Sequence, residues 1–343
     1  AGLALEGDII VKPSTADLPD LEGYRFGLAD ETVNAVRQPL ANLVNTAADG
    51  SAEVPLTLPA IPDTAKPLEA QVVLRLREPG GRGIERTITM PVATARNRIG
   101  IKTAFKANEL GEDNANARFE VVHLDADGKR AAVSGANWQL MRLETNWQWY
   151  SRDGSWSYES VTITRKVASG SIDIAADKPA EITAPVGYGR YRLEVTTSGA
   201  AATASSVAFN AGWFASADNP DSPEALDVAL DKASYKPGET AKLRIASKHA
   251  GTALIAVLGA GLSEMREVAV PKGGTEVQLT VGADWGAGAY VTTLMYRPMD
   301  EALKRMPGRA LGLAWLGIDQ AQRTLSVTIG TPDKVKGGKD VSI

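Results

Sequence analysis

The sequence predicts an all-β chain built as tandem antiparallel β-sandwich domains, and three observations lead there. Apolar residues alternate with polar ones over short runs, as in Leu226, Val228 and Leu230 or Ala241, Leu243 and Ile245, which is the period of a half-buried strand. These runs are punctuated by turn chemistry such as Pro237-Gly238 and Asp127-Gly128. Helical periodicity is brief at most, over Val33 to Leu43 and Met299 to Met306.

At 343 residues the chain is too long for one ordinary sandwich, since a domain typically takes about 150 residues. Three small β domains fit best. The first, residues 1–97, carries predicted strands at Leu3 to Val11, Tyr24 to Leu28, Glu53 to Leu58, Glu69 to Arg77 and Arg86 to Val92. The last two flank Pro79-Gly80-Gly81 and read as a hairpin. A second unit, residues 98–215, runs from Ile99 through Ala117 to Leu124, the turn Asp125 to Gly128, a Trp-rich hairpin, and Tyr188 to Val195, ending near Trp213. Ser216 to Glu224, with Pro220 and Pro223 among Asp, Asn and Ser, reads as a linker over residues 216–225. The third unit, residues 226–330, opens with a strand, the turn at Tyr235-Lys236-Pro237-Gly238-Glu239 and a second strand. Pro237 presets φ and Gly238 tolerates a positive φ, as a type II turn requires. A fresh strand begins at Asp340 to Ile343, so residues 331–343 are expected to start a further, truncated domain.

Weak echoes such as Gly189-Arg190-Tyr191 and Gly288-Ala289-Tyr290 recur at about the 100-residue period of tandem sandwiches. No apolar run reaches the roughly 18 to 20 residues of a membrane helix, and no signal-peptide pattern opens the chain. The net charge of −4 is spread along the chain without a basic cluster, which argues against a nucleic-acid partner.

Candidate chemistry is sparse. With no cysteine, the chain holds no disulfide, thiolate metal site or cysteine nucleophile. Its two histidines, His123 and His249, fall on separate predicted domains with no converging partners, so they read as ordinary strand residues. Asp125-x-Asp127-Gly128 opens like a calcium loop but lacks the later ligands, and a hairpin turn is the better reading. Gly259-Ala260-Gly261 and Gly286-Ala287-Gly288 are incomplete as dinucleotide fingerprints and read as turns or bulges. No catalytic, metal-binding or cofactor-binding residue is assigned. The sharpest local feature is Asn146 to Glu159, in which Trp147 and Trp149 share one face of a hairpin and Trp156 and Tyr158 share a face of the return strand. Alternating aromatics commonly fill the core and edges of a small sandwich. An exposed platform of Trp147, Trp149 and Trp156 that stacks on a sugar or a peptide is the rival reading.

The order of motifs along the chain resembles the bacterial alpha-2-macroglobulin family. Tyr235 to Glu239, Asp284-Trp285-Gly286-Ala287-Gly288-Ala289-Tyr290 and Leu311 to Ile318 are similar to the part classed with its bait-region domain. Gly23 to Glu31, the Trp-rich hairpin, Gly189-Arg190-Tyr191 and Phe209 to Trp213 are similar to the macroglobulin domains before it. The resemblance implies macroglobulin-like, fibronectin/immunoglobulin-like sandwiches in which Tyr235, Gly238, Trp285, Gly288 and Tyr290 are structural residues of the third. It also implies a broad-spectrum protease trap: a protease cuts an exposed bait segment, the molecule rearranges, and a thioester between a Cys and a Gln couples to the protease. The physical logic is a strained state released by proteolysis. Family members are periplasmic, often lipid-anchored at the inner membrane, and some are encoded beside a bifunctional peptidoglycan synthase, so the implied partners are proteases and envelope proteins. Lacking cysteine, these residues cannot form the thioester. They are expected to be an internal scaffold fragment without catalytic activity or cofactor. The alternative from another class is a carbohydrate-binding or adhesin-like multidomain surface protein.

Overall fold

In the computed structural model the described residues are 2–77, 81, 83–105, 110, 115–152, 155–212, 224–296, 308–321, 325–328 and 330. For residues 77, 146, 148–152, 155 and 156 the description covers the backbone alone. The predicted linker at 216–223, the helical stretch at 299–306, the Asp153-Gly154 turn and the strand at 340–343 lie outside the described residues. The chain divides into two compact units, Ala1–Trp213 and Phe214–Ile343.

The first unit opens with a four-stranded antiparallel sheet of order β3-β1-β4-β5, made of β1 (Ala4–Pro13), β3 (Val36–Pro39), β4 (Leu68–Arg77) and β5 (Ile84–Val92). Ile9 and Val11 of β1 share a buried cluster with Leu68, Ala70 and Val72 of β4 and Val92 of β5. Alternation along β1 and β4 dictates this, because successive side chains of a strand point to opposite faces. The stretch read as briefly helical holds β3 instead. Val36–Pro39 pairs with β1, Arg37 reaches Asp8 across the pair at 2.6 Å, and Pro39 cannot sit in a helix interior. Glu53 to Leu58 forms no strand despite its alternation. Pro55 and Pro59 supply no backbone donors to a ladder.

The second sandwich is built from two sheets. One has the order β10-β7-β6-β2, with β2 (Arg25–Phe26), β6 (Arg98–Thr103), β7 (Ala115–Leu124) and β10 (Ala180–Val186). The other has the order β12-β11-β8-β9, with β8 (Val133–Arg152), β9 (Ser155–Ile174), β11 (Gly189–Thr197) and β12 (Thr203–Ala211). Phe119, Ile99, Ile101, Leu140, Tyr191 and Leu193 lie among the residues of the shared core.

One strand changes allegiance. Tyr24 to Leu28, read from the sequence as part of the first domain, contributes β2, which pairs with β6 of the second sandwich. Leu21, Tyr24 and Phe26 form a buried cluster with Val122 and Leu124. Tyr24 Oη donates to Glu120 at 2.9 Å, and burial followed by this bond pushes the phenol up to about 12. A Cβ on Gly100 would lie 2.8 Å from the Phe26 ring, so glycine there admits the ring. The backbone then returns to β3 of the first sheet, so β1, β2 and β3 alternate between two sheets. The first two domains are therefore tied by an exchanged segment rather than joined only at residues 97–98.

The second unit pairs a three-stranded sheet with a five-stranded one. The first has the order β13-β15-β18, from β13 (Asp227–Leu230), β15 (Thr240–Ala246) and β18 (Thr275–Thr280). The second has the order β14-β20-β19-β16-β17, from β14 (Ser234–Tyr235), β16 (Gly251–Leu258), β17 (Leu262–Val270), β19 (Gly288–Tyr296) and β20 (Arg309–Ile318). All pairs are antiparallel except β14 with β20. Their inner faces bury Leu243, Ile245, Ile255, Val257, Val291 and Leu316 in one core.

Candidate functional site

The cassette that opens the second unit is organised by the turn after β14. Glu239 N donates to Lys236 O at 3.0 Å, and Gly238 sits at φ +85° between them. Pro237 and Gly238 thus occupy the central positions of a turn whose second central residue needs a positive φ. The Glu239 carboxylate accepts the Lys236 amide at 3.0 Å, closing the turn from its far side. Tyr235 beside it is 1 % exposed. Its hydroxyl donates to Asp231 Oδ1 at 2.7 Å and accepts the Lys232 amide at 2.9 Å, while the same Asp231 oxygen accepts the Lys242 amide at 2.7 Å. Burial first, and the Asp231 carboxylate second, hold the phenol well above the ordinary tyrosine range. This is a structural clamp in which a carboxylate satisfies donors from two strands and a phenol.

Trp285 is buried, and a Cβ on Gly282 would lie 2.3 Å from its Nε1. Gly288 has φ +154°, and a Cβ there would lie 2.5 Å from both Leu316 O and the Trp315 ring. Both are structural positions, as the resemblance implies. Tyr290 is different: it is 49 % exposed and packs edge to face on Trp315, with centroids 4.7 Å apart. It belongs to the outer surface of the five-stranded sheet rather than to the core.

The aromatic hairpin is an arm. β8 pairs with β11 only from Asn137 to Leu143, whereas its pairing with β9 continues to Arg152 opposite Ser155. Beyond Leu143 the register of the described residues pairs the two strands with each other and no longer with β11, so the aromatics stand past that ladder. Trp147 is half-buried and meets Tyr158 edge to face at 5.4 Å and 85°. Trp149 stands opposite Tyr158 and Ser151 opposite Trp156 in the register. The side chains of Trp149 and Trp156 lie outside the described residues.

The remaining candidates resolve into turns and core. His123 is buried on β7, with Nδ1 3.1 Å from the Ala131 carbonyl, while His249 sits in an exposed turn of the other unit. Asp125 Oδ1 accepts the amides of Asp127 and Lys129, at 3.0 and 2.9 Å, so its carboxylate caps its own turn. Gly259 N donates to Gly261 O at 2.9 Å in the tight connection between β16 and β17. Among the described residues no three His, Cys, Asp or Glu side chains gather as a metal site would require. What the described residues assemble is sandwich framework.

One feature escaped sequence reading. On β20, Leu311, Leu313 and Trp315 face outward while Ala310, Gly312 and Ala314 face the core. The small–large alternation was visible, but it gives no sign of which set is inside.

Comparison with known proteins matches this architecture segment by segment. Family models described as Bacterial Alpha-2-macroglobulin MG5 domain, Bacterial macroglobulin domain 6 and Alpha-2-macroglobulin bait region domain match residues 1–94, 100–213 and 226–343. Alpha-2-macroglobulin of Escherichia coli strain K12 is 29 % identical over 364 residues, covering 100 % of this chain and 22 % of its own length. The Xylella fastidiosa Temecula1 protein of the same name is 27 % identical over 349 residues, covering 100 % and 21 %. Among solved structures, the native conformation of E. coli alpha-2-macroglobulin has a TM-score of 0.55 at 27 % identity, covering 99 % of this chain and 22 % of that chain. Salmonella alpha-2-macroglobulin reacted with methylamine gives 0.51 at 27 % identity, covering 99 % and 22 %. The chain thus spans 21–22 % of the length of the curated relatives it matches. It belongs to the bacterial alpha-2-macroglobulin family, of whose domains it carries MG5, MG6 and the bait region domain in that order.

Proposed function

We propose that these residues are scaffold of a longer broad-spectrum protease inhibitor that traps its targets, and that they carry no catalysis themselves. The observation that carries this reading is the uninterrupted succession of MG5, MG6 and bait region domains over the chain. The exchanged β2 segment suits a scaffold role, because it makes two domains one mechanical unit. In this reading proteases are the partners and attack a bait segment held by the third domain. The protein works in the periplasm, lipid-anchored at the inner membrane through a segment outside these residues, near peptidoglycan synthases of the envelope.

The test uses the full-length protein, incubated separately with a serine protease and a metalloprotease of unrelated specificity. Each is expected to cut first within one short region and to co-elute with the inhibitor while still cleaving small peptides. Scattered first cuts with no retained protease would sink the reading. Fractionation of cells producing the full-length protein tests the location, and recovery in the cytosol would contradict it.

A further inference from the structure

Between β3 and β4 the first domain crosses a stretch that belongs to no sheet. Among the described residues no hydrogen bond involves the backbone of Ala52 to Pro62, and no residue there takes a positive φ. Its shape is set locally. Pro55, Pro59 and Pro62 fix their own φ and push Val54, Leu58 and Ile61 towards extended backbone. Pro59 is buried and Val54 half-buried, while Pro55 to Leu58 stand clear between them, Leu56 at 44 % and Leu58 at 45 % exposure. An extended, solvent-facing segment with unpaired amides and carbonyls is the form in which a protease takes a substrate, as an added strand.

The prolines then select one bond within this stretch. A chymotrypsin-fold serine protease pairs with the substrate backbone at three residues: the one just before the scissile bond, through its N–H; the one two before that, through its N–H and C=O; and the second after the cut, through its N–H. The residue between the first two makes no such pairing, so proline is accepted there. Val54-Pro55, Leu58-Pro59 and Ile61-Pro62 put the proline ring on the leaving nitrogen, and Pro55-Leu56 and Pro59-Ala60 remove the N–H before the cut. Glu53-Val54, Thr57-Leu58 and Ala60-Ile61 each place a proline second after the cut. Ala52-Glu53 would need Gly50 extended, yet Gly50 sits at φ +85° and donates to Ala47 O. Leu56-Thr57 keeps every donor, from Val54, Leu56 and Leu58, with Pro55 at the position that makes no pairing.

We propose that the bond between Leu56 and Thr57 is a cleavage site for serine endoproteases whose primary pocket takes a branched aliphatic side chain. It lies in the first domain, apart from any bait segment held by the third, and it stands without the trap reading. Hydrolysis breaks the bond from Leu56 C to Thr57 N, water supplying the hydroxyl of the new Leu56 carboxyl group and a proton to the new Thr57 amine. The nick leaves β1 and β3 before the cut and β4 and β5 after it. The two parts stay paired along the whole of β1, from Ala4 opposite Arg77 to Pro13 opposite Leu68.

The experiment digests the full-length protein with a limiting amount of chymotrypsin, which accepts leucine, and reads the new N-termini by mass spectrometry. Trypsin is the control, since no Lys or Arg lies between Arg37 and Lys66. The expected result is an N-terminus at Thr57 with chymotrypsin alone, appearing before the folded domains are degraded. Leu56→Glu and, separately, Leu58→Pro should each slow its appearance about tenfold or more, the first by removing the side chain the pocket takes and the second by removing the N–H after the cut. Both positions are exposed, and urea midpoints equal to the parent's confirm that each variant folds. No Thr57 end from the full-length protein overturns the proposal, even where the 343-residue chain is cut there, and so does a Thr57 end that forms as fast in Leu58→Pro. Protease retention by the full-length protein is scored separately. Retention without a Thr57 end sinks only this site, and a Thr57 end without retention sinks only the trap.

Discussion

The Gly27 amide donates to Ser205 Oγ at 2.9 Å, across 178 residues of sequence. Ser205 is fully buried and its hydroxyl donates a hydrogen bond to Ile99 O at 2.6 Å, so one hydroxyl bridges the exchanged segment and the sheet that receives it. Neighbouring Ser206 repeats the contact less deeply by accepting the Ala29 amide at 2.8 Å.

Ser205→Ala should therefore cost about 1–3 kcal/mol, because it strands a buried N–H and a buried carbonyl together. Ser206→Ala should cost less, since the Ala29 contact is only partly buried. Urea unfolding of the chain measures both. A Ser205→Ala chain as stable as the parent would show that the junction is not held through this hydroxyl.

Cutting the chain at residue 98 removes Leu21, Tyr24 and Phe26 from above Val122 and Leu124, each of which is 1 % exposed in the intact chain. A chain of residues 98–212 should bind a fluorescent apolar dye and unfold at lower urea than the same domain within the full chain. Dye binding and urea midpoints unchanged by the cut would mean that β2 is dispensable.

In the third domain, Gly312→Ala and Leu313→Ala should separate the two faces of β20. The first pushes a methyl into Val228 and the Leu226 carbonyl and should cost about 1–3 kcal/mol. The second trims an exposed side chain and should change the stability of the 343-residue chain by no more than about 0.5 kcal/mol. The reverse order would contradict the assignment of inner and outer faces.

Tyr235→Phe deletes the phenol that the Lys232 amide donates to and that Asp231 accepts from. It should cost about 1–2 kcal/mol. A cycle with Asp231→Asn should show coupling of about 0.5 kcal/mol or more. Strict additivity would mean the two residues act independently.

Asp8 lies between Arg37 at 2.6 Å and Arg75 at 2.8 Å, and these guanidiniums, Arg37 first, lower its carboxyl to about 2. The folded value is below the unfolded one of about 3.9, so the contribution is complete above roughly pH 4 and is lost as pH falls towards 2. Both arginines are exposed, so solvent screening keeps the contribution small. Asp8→Asn should therefore destabilise the chain at neutral pH and flatten its acid limb over that window. Identical acid limbs in urea titrations at several pH values would dismiss the ion pair.

Much of the fold was legible because local chemistry decides it. Strong alternation marked β1, β4, β13 and β15, and Pro237-Gly238 marked a turn that the backbone adopts with Gly238 at φ +85°. The order of motifs likewise carried the family. Val36–Pro39 was obscured because four residues show no period of their own, and Glu53 to Leu58 misled because alternation says nothing about the donors that Pro55 and Pro59 lack. The candidate site was less legible. The Tyr235–Asp231 clamp had a visible tyrosine but a carboxylate that looked like any other.

By itself the sequence determined an all-β class, the main turns and the family, since these depend on residues close together in the chain. Only the tertiary structure decided that β2 serves the second sandwich, that the aromatic hairpin continues past its core, and that β20 turns its leucines and Trp315 outward. The physical reason is common to all three. A period of two defines two faces of a strand but leaves open which face is buried and which sheet receives it, and that choice is made by what lies opposite: Val122 and Leu124 for Phe26, and Val228 for Gly312.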